Sequence, residues 1–227
     1  QLKKGTDGAR ADDANSLKTA VATWLNKQQP HPVPLLATNE KQERGFNHDL
    51  TGRLLCPVDY NWLDPSICDA IQEFHPRYAV TAHTWPVSLY PKVQYNPQHP
   101  STGLFKGELL VRAFQCIFMS PSSAREVLGT ENDDGQPHAR RGRKSARGMH
   151  TRCDVAGLLK MRSVQPHAIA YIAVQVRFAL SSTSFWELRD NSFDYEIFYH
   201  NIVNWFECPR SQAKSREIEE LLLWWDQ

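Results

Sequence analysis

The sequence predicts a mostly α-helical fold, an irregular helical bundle around one buried central helix, with a Pro-rich extended arm and at most one short strand pair. Three observations predict it. Residues 166–182, PHAIAYIAVQVRFALSS, have almost no polar face: only Gln175 and Arg177 interrupt a run of Ala, Ile, Tyr, Val, Phe and Leu, so a helix there must be enclosed all round. Several other segments place apolar residues at i, i+3, i+4 and i+7 and supply the enclosing walls. No segment carries a strand signal of comparable strength. The uncharged part of the central segment, residues 164–176, falls well short of the roughly 18 apolar residues a bilayer span needs, so the expected enclosure is protein and no membrane is involved.

In chain order, residues 1–15 hold little to bury and read as a mobile lead-in, followed by a single helical domain over 16–227. Leu17, Ala20, Val21, Trp24 and Leu25 share one helical face, with Asn15 or Ser16 as the cap and Pro30 beyond the end. Residues 31–57 carry Pro32, Pro34 and two Gly without a sustained period and read as an extended arm pinned by Leu54 and Leu55. Asp64-Pro65 is a helix entry, an N-cap carboxylate before Pro at the first helical position, with Ile67, Ala70, Ile71 and Phe74 as the buried stripe. Residues 81–89 allow at most a short strand between prolines.

Ser101 can cap a helix to about Met119 whose Leu109, Leu110, Ala113, Phe114, Ile117 and Phe118 form a wide apolar stripe. A short helix from Pro121 to Leu128 should follow. Residues 129–153 contain almost no core-forming side chain and read as a flexible basic loop that interrupts the domain. Gln165 then precedes Pro166 at the start of the central helix. Ser192 can cap the next, with Ile197, Phe198, Ile202, Trp205 and Phe206 inward, and a last helix over 211–225 buries Ile218, Leu221, Leu222 and Trp225.

The 26 basic and 25 acidic residues give a net charge of +1, which excludes a polyanion binder acting through the whole chain but leaves room for a local patch. The five Cys, at 56, 68, 116, 153 and 208, form no CxxC pair and are odd in number, which suggests neither a zinc cage nor a disulfide framework and points to a reducing, intracellular compartment. Residues 1–13 lack the apolar core of a signal peptide, and Gln1 in place of Met leads us to expect a processed or excised fragment.

The most specific local signal is HARRGRKSARGMHTR, residues 138–152. Arg140, Arg141, Arg143, Lys144 and Arg147, with Arg152 beyond, can follow a phosphate backbone with steep salt dependence, and the run resembles a nuclear import signal; the competing reading is a solvated loop. Glu196 and His200, four apart on a helix, could form an acid/base pair or two metal ligands, although the second His of a zinc helix is missing and an exposed i,i+4 pair explains them as well. Trp62, Trp85, Tyr90 and Tyr95, interleaved with Pro, could line a groove for a partner peptide or lie buried under the arm, and Trp224 could be a contact residue. No Walker, Rossmann or nucleophile-elbow motif occurs, and nothing in the pattern asks for a cofactor or metal.

The phrases GFNHDLTGRLLCP, NWLDP, TWPVSLYP, YNPQHPSTGLFKGELLVRAFQCIFMSPSSA, IAYIAVQVRFALSS and LLLWWDQ together resemble an uncharacterised domain family expanded in mushroom-forming basidiomycete fungi, over roughly residues 16–226. The chain departs from that pattern at Asn96, at Ser101-Thr102 and in its longer basic loop. The resemblance implies an intracellular fungal protein and transfers no catalytic residue. We therefore expect a binding module that contacts DNA or RNA phosphates through residues 140–147 and a protein partner through the aromatic arm. The alternatives are an enzyme using Glu196 and His200, and an interaction scaffold indifferent to nucleic acid.

Overall fold

The computed structural model describes residues 2–91, 95–119, 161 and 163–227, with side chains from Asp12 onward. Among them the order is α1 (Leu2–Asn26), α2 (Asp49–Leu55), α3 (Pro65–Gln72), α4 (Glu108–Phe118), α5 (Pro166–Leu180), strands β1 (Arg189–Asp190) and β2 (Phe193–Asp194), α6 (Tyr195–Glu207) and α7 (Gln212–Trp225). The expected short helix at 121–128 and the loop at 129–153 lie outside the described residues.

Helix α5 is the enclosed rod that its composition demands. Twelve of its 15 residues are buried, Gln175 and Arg177 included, and α1, α2, α4 and α6 pack around it. Ile169, Ile172 and Leu180 have no exposed surface. Pro166 occupies the first turn, where its missing N–H costs nothing. At the other end Ser181 turns its hydroxyl back to the Phe178 carbonyl, 2.9 Å away. No described helix is long and apolar enough to cross a membrane.

Helix α1 buries the expected stripe of Leu17, Val21, Trp24 and Leu25, but it starts at Leu2 and not near Ser16. Asn15 and Ser16 are therefore interior helix positions. No Pro precedes residue 30 to stop the helix, and Ala, Lys and Arg around the two glycines favour its continuation. Tyr171 of α5 also ties it down, donating from its hydroxyl to Asp13 at 2.8 Å.

The arm after α1 is held by side-chain-to-backbone bonds. Asn26 accepts from the Leu36 amide and donates to the Leu36 carbonyl, both at 2.9 Å. Arg44 donates to the carbonyls of Lys18, Ala37 and Ala179 at 2.9, 2.6 and 2.8 Å, bridging α1, the arm and α5. The arm also contains α2, which the lack of a period concealed. His48 caps it, accepting from the Leu50 amide. Gly52 lets the Trp62 ring come so close that a Cβ there would lie 2.3 Å from it.

Three further boundaries differ from the sequence reading. Helix α3 is capped by Asp64 as expected, but Phe74 adopts φ 56° beyond its end and points into solvent instead of joining the stripe. Residues 81–89 form no strand. Pro86 and Pro57 remove donors, leaving one isolated bridge between those two and a single 3₁₀ turn at Val87–Leu89. Helix α4 buries its predicted stripe yet starts at Glu108, because Gly103 (φ 78°) and Phe105 (φ 61°) are left-handed and cannot continue a helix from Ser101. The turn drops Phe105 into the core between Trp85, Trp205 and Phe206, at ring distances of 5.6, 5.0 and 5.1 Å.

The strand pair is the single short hairpin allowed for. Asn191, at φ 53°, turns it, and Asp194 instead of Ser192 caps α6 by accepting from the amides of Glu196 and Ile197. Ile197 faces outward, 40% exposed, so Phe198, Ile202 and Phe206 form the inner face without it. Helix α7 is capped by Ser211 and buries Ile218 and Leu221, with Leu222 and Trp225 half-buried beside them.

Candidate anion pocket

Arg177, the charged interruption near the end of the apolar run of α5, marks the most unusual site. Arg177 lies in the last turn of α5, and despite its length it is only 3% exposed. Its guanidinium carbon lies 3.4 Å from the Phe193 ring centroid and 6.0 Å from that of Tyr195. Those faces supply cation–π attraction but no hydrogen-bond acceptor. Nε and Nη1 are sealed from solvent with no partner, and among the described residues no carboxylate pairs with the group. Burial lowers the Arg177 pKa, opposed by Tyr195 and Asp190.

The guanidinium lines a cavity of about 110 Å³ between the end of α5, the turn at Gly45–Asn47, α3 and the hairpin. Ser181, Ser182, Asn47 and Asp190 contribute polar wall, and Phe46 and Ile71 apolar wall. Gly45, at φ 67°, leaves the backbone room beside Ser182, where a Cβ would come within 3.0 Å of the Ser182 amide nitrogen.

Two more buried cations stand close by and show what a satisfied one looks like. Arg44, whose pKa burial lowers to about 10, places its terminal nitrogens on three carbonyls and leaves only Nε unmatched. Lys41 donates to the Thr183 carbonyl at 2.6 Å and lies 3.4 Å from the Phe178 ring centroid. Burial, reinforced by Arg44, lowers its pKa to about 7. Among the described residues Arg177 alone of the three has no acceptor.

The residues singled out from sequence fare differently. Arg140, Arg141, Arg143, Lys144, Arg147 and Arg152 lie outside the described residues. Trp62 and Tyr90 are buried and offer no partner surface. The Trp62 indole donates to Asp49 at 2.8 Å and the Tyr90 hydroxyl to the Pro100 carbonyl at 2.7 Å. Tyr95 donates to Asp59, Trp85 packs on Phe105, and Trp224 is half-buried with the Lys106 ammonium 4.9 Å from its ring. Trp62 and Tyr90 are thus committed to packing, whereas Trp85, Tyr95 and Trp224 are half-buried.

Glu196 and His200 are both exposed and form no ion pair with each other. Among the described residues no three His, Cys, Asp or Glu side chains converge as metal ligands. Among the described residues the imidazole that meets a carboxylate is His167, which shares a 2.8 Å hydrogen bond with Tyr199 and lies 3.0 Å from Glu207. Spacing could not reveal that chain, because His167 and Tyr199 stand on different helices.

No curated protein and no solved structure matches the chain. Residues 4–227 match the model of a family of unknown function, and on that coverage the chain belongs to the DUF6698 family.

Proposed function

We propose that this chain is a binding module that recognises an oxyanion, carboxylate or phosphate, in the cavity lined by Arg177. The observation that carries the reading is a buried guanidinium in a cavity wall that has no acceptor among the described residues and whose Nη2 is not sealed off as Nε and Nη1 are. An unpaired buried charge destabilises a fold, and an incoming anion would supply what the fold withholds. Serine hydroxyls and the Asn47 amide offer further donors, and a volume of about 110 Å³ suits a single anionic group at the end of a larger ligand.

Calorimetric titration with inorganic phosphate and with acetate tests the reading. Saturable binding to the wild type that is lost in Arg177→Met is the expected result, and Arg177→Lys should recover it poorly because an ammonium lacks the planar donor set. Absence of saturable binding by either anion, or its survival in Arg177→Met, overturns it.

A second reading rests on the run of cations at 140–147. It proposes an intracellular, nuclear protein that contacts DNA or RNA phosphates there, with affinity falling steeply as salt rises. Its test is the salt slope of binding to mixed-sequence DNA, before and after those cations become Ala.

A further inference from the structure

The cavity beside Arg177 holds a second charge, of opposite sign. Asp190 of β1 lines the same wall, yet the two side chains form no ion pair. Burial lowers the Arg177 pKa, and Asp190, with Tyr195, opposes it without contact. The hydrogen bond that the Asp190 carboxylate accepts within the described residues is a long one, from the Asn191 amide at 3.4 Å. A cation and an anion that face one cavity without meeting ask for a ligand carrying both complements, an oxyanion for Arg177 and a donor for Asp190.

The remaining walls set the size of that ligand and the character of its body. Phe46, Leu55, Ile71 and Val80 form an apolar side. The volume of about 110 Å³ is below the roughly 150 Å³ that holds a benzene ring, so the body next to the anion has only a few carbons. Phosphate suits this lining poorly. A phosphate monoester carries a charge of about −1.5 to −2 at neutral pH, which Asp190 repels, and its oxygens gain nothing from the apolar side. A carboxylate brings one charge to one guanidinium. It also finds a second donor, because among the described residues neither the Ser182 N–H nor its hydroxyl has a hydrogen-bond partner. Gly45 keeps the space beside both open, since a Cβ there would stand 3.0 Å from the Ser182 nitrogen and 3.2 Å from Oγ.

We propose that the cavity takes an α-amino-acid end group, with its carboxylate on Arg177 Nη2 and Ser182, its α-nitrogen N–H on Asp190, and a small aliphatic side chain against Phe46 and Ile71. This inference rests on the anion reading and narrows it to one class of carboxylate. A free amino acid and the C-terminal residue of a polypeptide share that chemistry, and differ in whether the α-nitrogen is an ammonium or an amide.

Calorimetry on the full chain compares L-valine, N-acetyl-L-valine, L-valinamide, isovalerate and inorganic phosphate. Isovalerate is valine without its nitrogen, and valinamide is valine without its carboxylate. Valine or its N-acetyl form should bind saturably and at least tenfold more tightly than isovalerate or phosphate, with valinamide silent. Valine ahead of N-acetylvaline assigns a free amino acid, and the reverse order assigns a polypeptide C-terminus. Asp190→Ala should bring the better ligand down to the level of isovalerate, while isovalerate itself binds at least as tightly as before and so reports an intact pocket. The proposal is overturned by isovalerate matching both nitrogen-bearing acids, by phosphate exceeding them, by valinamide matching valine, or by an advantage that survives Asp190→Ala. In those cases binding of isovalerate or phosphate that disappears in Arg177→Met leaves the anion reading standing, whereas no binding by any of the five overturns both.

Discussion

The guanidinium carbon of Arg177 sits 3.4 Å from the ring centroid of Phe193, joining the central helix to the hairpin through a contact that neutralises no charge. Arg44, buried to the same degree, makes the opposite arrangement with three carbonyls and no ring contact of that kind. The two arginines should therefore respond differently to the same substitution.

Arg177→Met is expected to leave stability unchanged or raise it by ~1–4 kcal/mol, since it removes a desolvated charge and keeps the volume. Urea unfolding measures this. A marked loss of stability would mean that the guanidinium is satisfied in the folded protein.

Arg44→Met strips partners from three carbonyls on three segments. At ~1–3 kcal/mol per orphaned acceptor, the loss should reach about 3 kcal/mol or more in the same urea assay. A change under about 1 kcal/mol would show that water replaces the guanidinium there.

Lys41 has its pKa lowered by burial from 10.5 to about 7, so above pH 7 the unfolded chain holds a proton that the folded chain has released. Stability should therefore rise as pH climbs from about 7 to 9. Above that window the buried Cys56 thiol, pushed up to about 12, contributes in the opposite sense. Lys41→Met should flatten the rise. A wild-type curve that falls between pH 7 and 9, or a variant with an unchanged slope, would count against the burial of this ammonium.

Gly107 caps α4 where a Cβ would lie 2.1 Å from the Ser88 carbonyl oxygen, which is backbone and cannot rotate away. Gly107→Ala should lower stability by ~1–3 kcal/mol through overpacking, visible as a drop in Tm.

Ile172, with no exposed surface in the middle of α5, should cost ~2–5 kcal/mol on truncation to Ala. Chemical denaturation would settle it, and a cost near zero would mean that the rod is not packed on all sides.

How legible these features were in the sequence depended on whether a local pattern dictated them. The all-round apolar character of residues 166–180, the stripe from Leu109 to Phe118 and the Asp64-Pro65 entry are local statements, and the protein follows each. Helix α2 is seven residues with Gly52 in its middle, stabilised by the His48 cap and the Trp62 ring, so nothing periodic announced it. Phe105 in a left-handed conformation is a cost that only its aromatic surroundings offset, and no propensity predicts it. Gln175 and Arg177 were visible as interruptions in an apolar run. Their unmatched atoms emerge only when α6 and the hairpin pack over them.

Asn26 meets the Leu36 backbone with one accepted and one donated bond, the pattern a neighbouring strand would present. A single carboxamide thus sets the gauge of the whole wrapping segment. Deleting one residue between 27 and 35 would thread the wrong residue past Asn26 and displace Arg44 from its carbonyls further along. Substitutions in the same stretch that keep the spacing should be absorbed, which makes its length, more than its composition, the quantity the fold reads.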